Sequence, residues 1–496
     1  MTLDRRRPAG RYQQQLARRL EVAGNMTITL AVIGPAASVF AIGSLALRQQ
    51  GSGAFLAFLI AALISACLAV AWAELGVLYP TAGGLYGIVA RVLGRRASVM
   101  ALVLQLTLFV IVPSAFALAA GQYLTAVWPA ISPRAAALVL LAAATALAVV
   151  GIRFTAAVTA AFLAVELTII LVVSALGLAN ADWTLAGTLL DPRLYAADGS
   201  AAPATLRTLL AGVVLGLGAY AGYGGAVILS EETRGPRRGV ARAVLGALGV
   251  AVVAELLALA AALLGAPSQA QLTTAPAPMS YLVRSLGGDR LVAIVTLALV
   301  ATFFNIVLAV LLEYARILYS SGRDRTWPAP LSRAVGRIHP TTRTPVVATL
   351  AVGAAALTLT AVSDYAAAVT FASLTVVLTF ALIALSALVT RLRQPGLARP
   401  YRMPLWPLPP LVALAGVAVT VALQTRGDLA IVAAILAAGV LYDAVYLRSR
   451  HDTHWILLSP VVDEPDVTTD VTSAAQAVKR SVQDEKLGRR PRKEDG

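Results

Sequence analysis

Apolar runs long enough to cross a bilayer core, which takes about 20 helical residues, recur along nearly the whole chain. They predict twelve membrane-spanning helices, near 26–47, 54–78, 97–120, 135–152, 156–179, 208–230, 240–264, 291–318, 344–362, 366–390, 407–424 and 428–447. The polar gaps between them are short, except for 180–207 between the fifth and sixth spans. The arginines then convert this pattern into a topology, because loops left in the cytoplasm retain Lys and Arg. Alternate gaps hold six arginines between residues 5 and 19, three between 91 and 96, Arg153, four between 234 and 242, five between 323 and 343, four between 391 and 402, and Arg448 with Arg450. The opposite gaps hold only Arg48, Arg134, Arg193, Arg207, Arg284, Arg290 and Arg426. The basic gaps are therefore cytoplasmic, both termini lie inside, and 180–207 is an outside loop.

Two spans carry matching interruptions. The first reads TLAVIGPAAS from Thr29 to Ser38, and the sixth reads GLGAYAGYGG from Gly216 to Gly225. Proline removes a helical hydrogen bond, and each glycine costs roughly 1 kcal/mol relative to alanine inside a helix. Unwound backbone is tolerated in lipid only where protein or a cavity encloses it. Corresponding breaks in two halves of opposite orientation point to a solute site at the interface of an inverted repeat. Close helix packing through small residues is the alternative reading for Gly216, Gly218 and Gly222.

Composition agrees with the membrane reading, with 58% hydrophobic residues and a mean hydropathy of +0.78. The net charge of +15 is spread over short loops without a nucleic-acid motif, so it reads as an orientation signal toward an anionic inner leaflet. The single cysteine, Cys67, lies in an apolar run, and the three histidines, His339, His451 and His454, fall outside the spans. Neither a disulfide framework nor a metal site is expected, and no cofactor is implied. The Arg-rich start has no cleavage signature and reads as a cytoplasmic tail, covering 1–25. Residues 449–496 are mixed in charge and poor in apolar residues, which predicts a disordered cytoplasmic tail.

Three segments resemble one known family. They are WAELGVLYPTAGGLY over 72–86, SEETRGPRRGVARA over 230–243, and Ala315-Arg316 followed by GRDRTWP over 322–328. They are similar to signatures of amino acid transporters of the amino acid–polyamine–organocation superfamily. The resemblance implies an all-α integral membrane protein with a LeuT-like five-plus-five inverted repeat, 26–179 and 208–390, and two further helices over 404–448. It also implies substrate contacts at Ile33, Gly34, Pro35, Ala36, Ala37 and Ser38 of the first break, and at Tyr220, Gly222, Tyr223, Gly224 and Gly225 of the sixth. The chain departs from the family there. Ala36, Ala37 and Ser38 stand where relatives usually carry a GSG triplet that receives a substrate carboxylate, and Gly224 stands where many carry a glutamate. The missing carboxylate favours a neutral or unusual amino acid.

A charged side chain at a helix centre costs about 2.5–3.5 kcal/mol on insertion scales, so each intramembrane acid needs a reason. Glu166 lies mid-way along the fifth span, where several proton-coupled relatives carry a lysine. Proton coupling and a structural hydrogen bond are both compatible with it. Asn305 in the eighth span matches the family's placement of an asparagine and is grouped with Glu166 as a coupling candidate. Glu255, deep in the seventh span, has no family motif. Glu313 and Arg316 are three residues apart on one helix, the spacing of a local pair. Glu74 and Glu231, with Arg237, Arg238 and Arg316, form a candidate network closing the cytoplasmic path. Tyr220 and Tyr223 suit a substrate gate or ordinary packing.

The expected function is secondary active transport of an amino acid across the plasma membrane by alternating access, coupled to a proton or another cation. An amine or polyamine carrier and an amino acid exchanger are the alternatives. The chain has no P-loop and no catalytic group is assigned; an intramembrane enzyme would need grouped catalytic residues, and a channel repeated filter residues.

Overall fold

The computed structural model describes residues 11–12, 20–150, 152–196, 198–234, 238–450, 453–455 and 459–460. The chain divides into two units, Met1–Gln14 with Leu458–Gly496, and Gln15–Leu457. In the first, Arg11–Tyr12 pairs in parallel with Ser459–Pro460. Most of the two expected tails, and Arg237, lie outside the described residues.

The larger unit is helical. Among the described residues, eight helices are long and apolar enough to cross a membrane: Val22–Gln50, Gly53–Leu78, Arg95–Thr125, Ala157–Ala179, Arg238–Gly265, Pro278–Arg323, Phe371–Arg393 and Arg426–Arg450. Four shorter apolar helices, Pro133–Ala148, Leu206–Ala219, Val346–Val362 and Leu408–Ala422, fall on the remaining predicted spans. Two of these are short for a physical reason. Leu206–Ala219 ends at the glycine-rich break, and Leu408–Ala422 starts with proline inside its first turn, where a missing N–H costs nothing.

The first span is the centre of the bundle: 89% of its most apolar window is buried, against 17% for Arg426–Arg450 at the rim. The second span packs on the sixth and seventh, the seventh on the fifth, and the eighth on the third and fifth. The helix Pro278–Arg323 is bent at Gly288, whose backbone (φ 72°, ψ 177°) is not helical, so a short helical segment precedes the eighth span. The expected loop between the fifth and sixth spans is partly ordered. It holds a 3-10 turn, Trp183–Leu189, and a hairpin pairing Arg193–Tyr195 with Ala201–Pro203. In that hairpin Asp198 accepts from the amide and the hydroxyl of Ser200 at 2.9 and 2.7 Å. This side-chain mimic of a backbone turn is a local strand signal in an otherwise all-α chain.

Small residues set a close contact between two helices. A Cβ added at Gly177 would lie 2.4 Å from the Ala261 carbonyl oxygen, and one at Gly265 would lie 2.2 Å from that of Gly177. The fifth and seventh helices therefore meet backbone to backbone, as membrane helices with small interfacial residues do. Gly177→Ala is expected to destabilise the protein by about 1–3 kcal/mol through overpacking, read as a lower melting temperature of the detergent-solubilised protein. Gly249, where an added Cβ meets nothing within 4 Å, is the control position and should leave melting unchanged or slightly raised.

Candidate solute site

The first span is interrupted where the sequence places the interruption. Its inner helix, Val22–Ile33, ends at Gly34, whose φ of 63° is left-handed, and Pro35–Ser38 begins a second segment. Only glycine accepts that conformation cheaply, and a Cβ at Gly34 would also overlap Ile306. The sixth span unwinds over 220–224, with Gly222 at φ 123°, before a short turn of helix, Gly225–Ile228. The hydroxyl of Ser38 joins the two interruptions by donating to the carbonyl oxygens of Ile33 at 2.9 Å and Ala219 at 3.2 Å. It thereby satisfies carbonyls that the broken helices leave without an intrahelical partner.

Two distinct environments flank these breaks. The first surrounds Glu166, which is fully buried. Its Oε1 accepts from the Ala36 amide at 2.9 Å, while Oε2 has no partner among the described residues. The start of the second half-helix is thus capped by a carboxylate of the chain itself. Glu255 is equally buried, with neither oxygen hydrogen-bonded among the described residues, and lies within electrostatic reach of Glu166 and Tyr220. Asn305 donates to the Thr159 carbonyl oxygen at 3.3 Å, and its own Oδ1 has no partner among the described residues.

The second environment is a cavity of about 150 Å³. Ile33, Gly222, Gly224 and Gly225 line it from the two breaks, with Trp72, Phe116, Tyr365 and Phe380 among its aromatic walls. Of the other first-break candidates, Gly34, Pro35, Ala36, Ala37 and Ser38 sit behind this lining, beside Glu166 and the eighth span. Tyr220 and Tyr223 are buried in packing: Tyr220 meets Phe58 edge-on at 5.9 Å, and Tyr223 stacks on Phe380 at 6.0 Å. Glu313, which the sequence offers only as a partner for Arg316, lines the cavity instead.

The charged residues at the Arg-rich end of the bundle form separate clusters. Glu74 is held by Arg391, by Arg399 Nε at 3.0 Å, and by the Met403 amide at 2.6 Å. Glu231 pairs with Arg323 at 3.0 Å and accepts from the Ala82 amide at 2.8 Å. Arg316 pairs with Glu232, both 1% exposed. Beside them, burial pushes the Asp324 carboxyl up to about 6, against the opposing pull of Arg323, and Asp324 accepts from the Tyr86 hydroxyl at 2.9 Å. Arg238 reaches the Pro400 carbonyl oxygen at 2.8 Å and joins no ion pair with Glu74 or Glu231. Sequence reasoning missed Arg323, Arg391 and Arg399 as partners, although all three lie in the basic gaps it identified.

The family model for amino acid permeases matches residues 24–442. The chain belongs to the amino acid permease family. This permease is 31% identical over 443 residues to an uncharacterized transporter of Mycobacterium tuberculosis, covering 86% of this chain and 90% of that protein. It is 26% identical to cationic amino acid transporter 4 of Mus musculus over 372 residues, 71% of this chain and 56% of the relative. It is 24% identical to the branched-chain amino acid permease BcaP of Bacillus subtilis over 196 residues, 40% and 41% of the two chains. Family and relatives are transporters, not enzymes, of the amino acid–polyamine–organocation superfamily. The permease is a multi-pass membrane protein of amino acid transport.

Proposed function

We propose that this permease is a secondary active transporter that carries an amino acid or a related amine across the plasma membrane by alternating access, coupled to a proton or another cation. The observation that carries the proposal is the pair of helix breaks, at Gly34 and over 220–224, flanking one cavity. Broken helices expose peptide groups that lipid cannot satisfy, and a solute with complementary groups can. The relatives that transport branched-chain and cationic amino acids support an amino acid as cargo. We assign twelve crossings, the five-plus-five inverted repeat over 26–179 and 208–390, and both termini to the cytoplasm. The Arg-rich end carrying Glu74, Glu231 and Arg316 is then the inner gate.

Glu166 is the coupling residue in this reading. It holds the Ala36 amide, the place where the first break would receive a substrate carboxylate. Protonation of Glu166 weakens that hold and frees the amide, so proton and substrate enter together. Asn305 stands beside the same break and is satisfied once the site fills. An exchanger or an amine carrier would use the same cavity and differ in what drives it.

The test is uptake by proteoliposomes carrying the purified protein. Saturable uptake of an amino acid or amine, accelerated by the same solute preloaded on the opposite side, is the expected result. Flux that rises linearly with concentration and ignores the trans side would mean a channel and end the carrier reading.

A further inference from the structure

We infer that Glu313 is the cation-recognising residue of this cavity, and that the permease selects solutes carrying a side-chain ammonium or guanidinium group. The inference rests on the transport reading above and deepens it.

The observation is a carboxylate brought by the eighth span to the break in the sixth. Glu313 is 3% exposed, its Oε1 has no hydrogen-bond partner, and it forms no ion pair among the described residues. Arg316, its expected partner, is paired with Glu232 and reaches Glu313 only through its field. The position is made possible by Gly225: a Cβ there would lie 1.6 Å from Oε1 and 2.7 Å from Oε2 of Glu313. A glycine thus opens the wall of the sixth span for this one carboxylate. Glu313 is the one acidic residue in the cavity lining, and no basic residue lines it, among the described residues.

The rest of the lining suits the same ligand. Trp72 packs against Gly224, next to the Gly225 that faces Glu313, and supplies aromatic surface there, and a cation near such a ring gains further stabilisation. The apolar walls accept the methylene stem of a long basic side chain, as such stems pack against apolar surface while the charged head finds a partner. A buried carboxylate without an ion-pair partner is costly unless neutralised, and a substrate cation provides the pair. The carboxylate missing at Gly224 is therefore replaced from another helix, and the sequence-level preference for a neutral solute is reversed.

The experiment measures uptake of L-lysine, L-arginine, butane-1,4-diamine and L-norleucine by proteoliposomes containing the wild-type protein, Glu313→Gln or Glu313→Asp. Norleucine has the lysine stem without the ammonium group. Wild type should prefer lysine over norleucine, and Glu313→Gln should reduce that preference on the order of thirtyfold or more, the scale of removing one member of a buried charge pair. Glu313→Asp, which keeps the charge, should retain part of it. A structural role would instead lower uptake of both solutes alike and leave their ratio unchanged, which overturns the inference. If Glu313→Gln cannot be recovered, the wild-type ratio decides: equal uptake, or a preference for norleucine, rejects cation selection while leaving the transport reading intact. Preference for the diamine or arginine over lysine supports the inference and identifies which cation the site takes. Wild type that transports none of the four overturns the inference, while saturable, trans-stimulated uptake of another amino acid would keep the transport reading.

Discussion

Glu166→Gln is expected to abolish accumulation driven by the proton-motive force while leaving exchange of solute for solute within a few-fold of wild type. Glutamine has nearly the same volume, and its carbonyl oxygen can accept the Ala36 amide hydrogen that Glu166 Oε1 accepts at 2.9 Å. The broken first span therefore keeps its cap. What the variant cannot do is take up and release a proton. One charge crossing 100 mV supplies about 2.3 kcal/mol, which corresponds to roughly fiftyfold accumulation. In Glu166→Gln that ratio should fall toward one, with uptake no longer varying with pH. The groups facing this carboxylate are Glu255 from the seventh span, itself facing Tyr220, and the Ala36 and Ala37 amides from the first. Glu255→Gln is the comparison that separates a shared proton site from a single one. If Glu166→Gln still accumulated solute with the wild-type pH profile, Glu166 would be a cap and nothing more.

Lipid makes part of this molecule plain in its sequence. Each of the long apolar helices lies on a predicted apolar run because a backbone in hydrocarbon must bond to itself, so the runs mark those helices directly. The break at Gly34-Pro35 and the one over 220–224 were legible for the same reason: glycine and proline are costly in such helices and stand out. The pairing of charges was not legible. Glu232 and Arg316 are 84 residues apart and Glu74 and Arg391 are 317 apart, whereas sequence spacing displays only partners on one helix. Arg316 was therefore matched with Glu313, and the acid that lines the cavity was hidden by a plausible local pair. The two tyrosines of the sixth break carry the opposite lesson. Their position in the chain suits a gate, but the unwound backbone turns their rings into packing against Phe58 and Phe380. The hairpin after the fifth span was missed because the Asp198–Ser200 turn is short and its strands carry little apolar alternation.

Arg316→Met is expected to destabilise the protein by about 3–5 kcal/mol, the usual cost of removing one partner from a buried ion pair. Arg316 and Glu232 are each 1% exposed. The guanidinium binds both carboxylate oxygens, with Nη2 at 3.2 Å from Oε2, and also donates to the Leu312 carbonyl oxygen at 2.6 Å. Among the described residues no other cation pairs with Glu232, so methionine leaves a buried charge without a counterion. The double variant Arg316→Met with Glu232→Gln removes that charge as well. Replacing both members of a buried pair is often nearly neutral, so the double variant should recover most of the lost melting temperature of the solubilised protein. Stability and transport then separate. The pair joins the end of the sixth span to the eighth, beside the contact in which the Leu20 amide donates to the Glu232 carbonyl oxygen at 3.0 Å. If it is an inner gate, the stable double variant should bind solute yet exchange it with altered speed. If it is only an anchor, transport should return along with stability. A single variant that melted like wild type would remove the pair from both roles.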